Sequence, residues 1–358
     1  MNTVLTGATV ALVSLILRRM GYSRAAQATL ALIYGFSTLA FTYARYDYNK
    51  CLAAFLLALA FDFLLGLLHQ PTHRNLLGCG FALGALAALR LELGPLALPF
   101  AFALARAEGG WRRSGKKLVL LFLPILAALA FIFFYNRLYW AGQVSGGYEG
   151  SFTWNPTTAL SGFLFSPGKS VLLFNLPLLL MLFCLRPFAA KVSKVWLPWL
   201  AAMLYILLVY SFWGNWWGGW GFGPRHLVPL LPLAVLPLAE AFDHGTTPQR
   251  RTLFALAGMG CIVQLLGAAI DFSDVINVLM KNGFTELQLI WSPWLNPVWM
   301  HFQFLSYRPF ALWDFAWIPF FSLYPLWIPL SLACLWLILL GVSGWAIFRF
   351  TRNPSSPS

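Results

Sequence analysis

Charge is what this chain has least of. Asp, Glu, Lys and Arg make up 10% of its 358 residues, against 60% apolar residues and a mean hydropathy of +0.72. That balance excludes an ordinary soluble globular domain and fits a polytopic membrane protein. Acidic residues are the scarcer sign, 11 against 24 Lys and Arg, for a formal net charge of +13. The excess lies in short loops at the ends of apolar runs, which excludes nucleic acid as the partner and reads instead as an orientation signal. Cysteine is sparse too. Cys51, Cys79, Cys184, Cys261 and Cys334 stand singly in apolar segments without CxxC spacing, so they read as packing residues, with no redox or metal argument. The first apolar run has no basic segment before it and carries Arg18 and Arg19 at its far end, so it is expected to stay as an anchor and no cleavable signal peptide is needed. No internal repeat is found.

What is present is apolar length. Runs of about 15 to 22 residues, enough for spanning helices, fall near 3–17, 25–44, 51–68, 118–135, 170–185, 195–213, 226–242, 252–272 and 325–348. A further stretch, 76–106, is interrupted by Arg90, Glu92, Gly94 and Pro95 and reads as two short helices meeting at a polar break. The expectation is an all-α integral membrane protein with about nine to eleven transmembrane helices. A core over 1–272 is followed by a loop with interfacial helices over 273–324, a last transmembrane helix over 325–350 and a tail over 351–358.

Alternating the spans gathers 16 of the 24 basic residues on one side, among them Arg18, Arg19, Arg74, Arg113, Lys117, Lys191 and Arg250. The positive-inside rule makes that side cytoplasmic, with the N-terminus outside and the C-terminus inside. The other side then carries Arg45, Lys50, Arg90, Arg137, Lys169, Arg225, Lys281 and Arg308, and seven acidic residues: Asp47, Glu92, Glu149, Asp271, Asp274, Glu286 and Asp314. Ionisable groups near a bilayer are costly, so several at one face point to a functional site. Arg45 with Asp47, or Arg90 with Glu92, is taken alone equally an ion pair closing a helix end. The aromatic residues of 284–324 read first as an interfacial belt, on short amphipathic pieces that could roof a cavity.

One stretch on that face stands out: "SFWGNWWGGWGFGPRHL", residues 211–227. Its glycines at 214, 218, 219, 221 and 223 let the backbone turn tightly and approach a ligand. Pro224 then sets a helix start, and Arg225 falls in that helix's first turn, where free N–H groups and a guanidinium can face one anion. Phosphate is the obvious anion. Trp217 and Trp220 can stack on a sugar or flank a lipid tail, or belong to the belt. "SPGKS" at 166–170 is a second Gly-Lys pairing at an expected helix start, but lacks the glycine spacing of a P-loop. For Arg225 the alternative is an anchor reaching lipid headgroups.

These segments resemble the GT-C superfamily of polytopic membrane glycosyltransferases, in particular bacterial members similar to family 39 protein mannosyltransferases and the lipid A aminoarabinose transferase. Residues 17–50, "LRRMGYSRAAQATLALIYGFSTLAFTYARYDYNK", are similar to the family's two helices ending in an outer acidic turn. "GALAALRLELGPLALP" (84–99) looks like its Arg-Pro-Glu break with Leu91 in place of the proline, and "GFLFSPGKSVLLFNLPLLL" and "WWGGWGFGPRHLVPLLPL" resemble outer-face motifs of its members. The resemblance covers most of 1–272. It implies transfer of a sugar from a polyprenyl-phosphate-linked donor to a lipid, glycan or protein acceptor at the extracytoplasmic face of the plasma (inner) membrane. No cofactor is certain, and a divalent cation is optional. The implied site comprises the carboxylates Asp47 and Glu92 with Arg225, Arg90, Lys169, His226, Trp217, Trp220 and Tyr148 as substrate-binding residues. One departure is that the family's first outward helix, and the outer loop bearing its main base, are expected to be missing here. The competing readings are a transporter or lipid flippase, which would also have broken helices and buried ions, and a structural membrane subunit.

Overall fold

The computed structural model describes residues 1–46, 49–70, 72–140, 152–307 and Ser331; among them the chain is helical, with no strand. Helix α1 (Asn2–Arg19) turns at Gly21, whose φ of 77° only glycine adopts freely, into α2 (Arg24–Ser37), started by the Ser23 side chain accepting from Ala26 N–H. Thr38 is extended, and α3 (Leu39–Arg45) leaves at 56° to α2. Then follow α4 (Lys50–His69), α5 (His73–Leu89), a 3-10 turn over Leu91–Leu96, and α6 (Ala97–Ala107). The long α7 (Trp111–Tyr139) precedes α8 (Thr157–Phe165), a 3-10 turn over Leu176–Leu180, α9 (Met181–Lys191) and α10 (Trp196–Ser211). A glycine-rich loop leads to a 3-10 helix over Arg225–Leu230, α11 (Leu231–Ala234), α12 (Leu238–Asp243) and α13 (Thr247–Ala269). Three short helices close the described chain: α14 (Phe272–Lys281), α15 (Glu286–Trp291) and α16 (Pro297–Tyr307).

Position follows from which faces are apolar. Helix α4 is apolar all round and is central, with 72% of its apolar window buried, whereas α7 has 11% of its window buried. Helix α7 is held on one side by α5, where a Cβ on Gly80 or Gly84 would sit 2.2 Å from the Leu121 carbonyl oxygen or 2.8 Å from that of Pro124. Small residues there let the two backbones touch. The rest of α7 shows Val119, Leu123, Leu126, Phe131 and Phe134 on the surface, an apolar face suited to lipid and ill-suited to water.

The break at Thr38 is buried and satisfied. Thr38 Oγ1 donates to the Tyr34 carbonyl at 2.6 Å, the orphaned Leu39 N–H donates to Asn175 Oδ1 at 2.8 Å, and Gln264 bridges the Phe174 carbonyl and Thr42 Oγ1. Irregular backbone deep in a helical body is tolerated only when protein takes up its polar groups in this way.

Nine spans are expected from the sequence; among the described residues three helices, α4, α7 and α13, are long and apolar enough to cross a membrane unbroken, or four if the bent pair α2 and α3 is one span. Proline is the main reason: Pro177 divides the run at 170–185, and Pro229, Pro232 and Pro237 break 226–242 into short pieces. The run at 195–213 gives a helix of 16 residues. The two-helix reading of 76–106 matches α5, the 3-10 turn and α6. The expected last span at 325–350 and the tail over 351–358 lie outside the described residues.

The body has two unlike ends. At one, ion pairs and polar clasps join loops: Arg19 to Asp62 at 2.8 Å, Lys117 to Glu108 at 2.6 Å, Tyr22 to Glu240 at 2.6 Å, and Ser23 to Asp243. At the other meet the ends of α3, α5, α10 and α13, the start of α4 and the glycine loop. Arg45 donates to the Ala268 carbonyl there, and Tyr43 to that of Phe222 at 3.0 Å.

Candidate functional site

The glycine loop is shaped by three positive φ angles, at Gly218 (75°), Gly219 (56°) and Gly223 (66°). It also has to admit one side chain. A Cβ on Gly218 would stand 2.8 Å from Arg225 Cγ, and one on Gly221 would stand 3.1 Å from Arg225 Cδ. The glycines therefore make room for Arg225 itself. The loop's carbonyls point the other way from the sequence expectation: those of Gly219, Gly221 and Gly223 converge on Lys169 Nζ at 3.3, 2.8 and 3.3 Å. Its N–H groups are used internally, Gly218 on the Asn215 carbonyl and Gly219 on Asn215 Oδ1.

Two further expectations are corrected. Arg225 opens a six-residue 3-10 helix, so no α-helix dipole of useful length stands behind it. Lys169 lies in a turn, seven residues before the next helical piece at Leu176, and is buried rather than presented to a ligand. Burial and the neighbouring Arg225 bring its ionisation down to about 7, partly opposed by Glu286.

Arg225 belongs to a cluster. Arg90, at the C-cap of α5, donates to Glu92 Oε1 at 2.8 Å, to Asn49 Oδ1 at 3.2 and 3.3 Å, and to the Tyr210 hydroxyl at 3.3 Å. Lys50, at the first turn of α4, lies 3.2 Å from His226 Nδ1, and the His226 ring stacks on Tyr210 at 4.9 Å. Both Lys50 and Arg90 lie over the Tyr210 ring, 5.7 and 6.0 Å from its centre. Arg225 and Arg90 act electrostatically on both Lys50 and His226. Glu92 is the more open member, its side chain 23% exposed against 8% for Arg90. Its Oε1 takes the Arg90 and Tyr210 bonds, leaving Oε2 as the oxygen free to accept a proton.

Beside this cluster lies a small, partly open cavity bordered by Lys169, Trp217 and Glu286 and otherwise lined mainly by apolar side chains of α14, α15 and α16, such as Val275, Leu279, Leu289 and Met300. Trp217 and Trp220 each donate an indole N–H to Glu286, at 3.1 and 3.0 Å. Segment 272–307 thus roofs a cavity with short amphipathic helices and is tied to the glycine loop by the two indoles. Trp294 and Trp299 remain exposed, as a belt requires.

The structure therefore brings Glu92, Arg90, Arg225 and His226 together, with Lys169 behind the loop and Trp217 and Trp220 at the cavity. Asp47 and Tyr148, assigned to the same site from sequence, lie outside the described residues. Sequence reading missed Lys50 and Tyr210 as members, the first taken for a boundary charge and the second hidden in an apolar run. It also missed His301. That ring is fully buried, stacked on Phe222 at 4.9 Å, and neither nitrogen has a hydrogen-bond partner among the described residues; burial takes its ionisation down to about 3. Among the described residues no group of three or more His, Cys, Asp or Glu side chains gathers as a metal site. No family model, curated protein or solved structure matches the chain.

Proposed function

We propose that this chain is a membrane-embedded glycosyltransferase that moves a sugar from a polyprenyl-phosphate donor to a lipid, glycan or protein acceptor, with the aromatic end as its working, extracytoplasmic face. The observation that carries this reading is the gathering of Lys50, Arg90, Arg225 and His226 around Glu92, residues drawn from segments far apart in sequence. A phosphate leaving group needs cationic donors, and a guanidinium grips it through two parallel bonds. An acceptor hydroxyl needs a base within hydrogen-bond reach, which the open oxygen of Glu92 supplies. An apolar lipid tail needs a dry groove, and the roofed cavity beside Lys169 supplies apolar walls.

The test is donor affinity in the full chain, purified into lipid nanodiscs, with a polyprenyl-phosphate hexose as probe. Arg225→Lys keeps the charge and loses the fork, and is expected to weaken binding by about 1.5–3 kcal/mol, the order of a hydrogen bond to a charged group. Unchanged affinity in Arg225→Ala overturns the assignment. A lipid transporter is favoured by one observation, the 56° break between α2 and α3; donor movement across a vesicle bilayer without sugar transfer would decide for it.

A further inference from the structure

We infer that Lys169 is a positioning residue of the glycine loop, which gathers the carbonyls of Gly219, Gly221 and Gly223 and so holds Arg225 and His226 in the cluster. Three facts carry this. Nζ lies within hydrogen-bonding distance of all three carbonyls, at 3.3, 2.8 and 3.3 Å. The residue is 4% exposed, so its amine is enclosed by the loop and by Phe272, whose ring centre is 5.6 Å away. The loop's glycines carry no side chains to pack, three of them sit at positive φ, and backbone freedom is largest for glycine. The protonated amine offers three donors, one for each of the three carbonyls.

The lysine is itself well anchored. Its turn is fastened by Ser166, whose Oγ accepts from the N–H groups of Gly168 and Lys169 and donates to the Ile290 carbonyl, while Gly168 N–H donates to the same carbonyl at 3.0 Å. A Cβ on Gly168 would stand 2.5 Å from the Leu289 carbonyl oxygen and 3.1 Å from that of Ile290. A rigid turn thus delivers Nζ to a pliant loop. Removing the amine takes that donor from the carbonyls of Gly219 and Gly221, while that of Gly223 keeps the Arg225 N–H, and burying such groups unpaired is costly enough to reshape a glycine segment. The displacement would pass to Arg225, whose side chain runs against Gly218 and Gly221.

The consequence for donor binding rests on the proposed function, but the positioning does not, so the experiment is done without donor. Hydrogen exchange is followed on the full chain in nanodiscs at the amides of Gly218, Gly219 and Arg225, which are hydrogen-bonded within the loop, with α4 amides as the internal reference. Lys169→Met and Lys169→Ala are expected to speed loop exchange at least tenfold and leave α4 unchanged. Added n-butylammonium should restore protection in Lys169→Ala, and tetramethylammonium, which has no N–H to donate, should not. Unchanged loop exchange in both variants overturns the inference. So does equal rescue by the two cations, or a rise that includes α4, which would mark Lys169 as a general stabilising residue. Donor affinity unchanged while the loop loses protection would count against the transferase reading and leave this one standing.

Discussion

A single buried amine sets a pH dependence at the residue scale. Lys169 loses its proton near 7 in the fold and near 10.5 in the unfolded chain. Between those values the unfolded state holds the extra proton, so stability rises with pH from about 7 towards 10.5 and is insensitive to this group below 7. Thermal unfolding across that window should show the slope, and Lys169→Met should remove it; a slope that survives the substitution assigns it to another group. Gly218 gives a second case. Alanine there pays about 1–2 kcal/mol for the left-handed backbone and presses on Arg225 Cγ, so Gly218→Ala should lower the unfolding midpoint and donor affinity together. His301 should go the other way: His301→Leu removes two buried nitrogens that have no hydrogen-bond partner among the described residues and is expected to raise the midpoint, by about 1 kcal/mol or more. The legibility of these residues differed for physical reasons. Arg90, Glu92 and Arg225 were visible because a charge in an apolar run needs a reason. The role of Lys169 was not, since its partners are carbonyls, which carry no sequence signature.

Elements were legible where apolar length alone decides and illegible where proline does. Helix α4 follows its apolar run within a residue or two, and α7 extends several residues beyond its run at each end. The runs at 170–185 and 226–242 hide their breaks, because counting apolar residues gives proline no weight. The bend at Thr38 has neither glycine nor proline. It is a tertiary effect, made affordable by Asn175, which accepts from the freed Leu39 N–H at 2.8 Å. Asn175→Leu has similar volume and no acceptor, so it should cost about 1–3 kcal/mol by stranding that N–H in a buried site. Denaturation of the variant checks this; an unchanged midpoint would mean that the break satisfies itself in another way.

The whole molecule is a helical body with ion pairs at one end and aromatic residues, glycines and cations at the other. Proposed orientation adds the side: Asn155→Cys, at the aromatic end, should react with an impermeant thiol reagent in whole cells, and Thr247→Cys, at the other end, only after the membrane is opened. The reverse pattern would put the cluster on the wrong side for an extracytoplasmic donor. Most direct is a comparison of two ligands that differ by one group. The purified chain in nanodiscs is offered a polyprenyl-phosphate hexose and the uncharged polyprenol of the same length. If the cluster of Lys50, Arg90 and Arg225 recognises the phosphate, the charged lipid binds far more tightly, and Arg90→Ala with Arg225→Ala brings its affinity down to that of the polyprenol. Equal binding of the two lipids by the unaltered protein would contradict it.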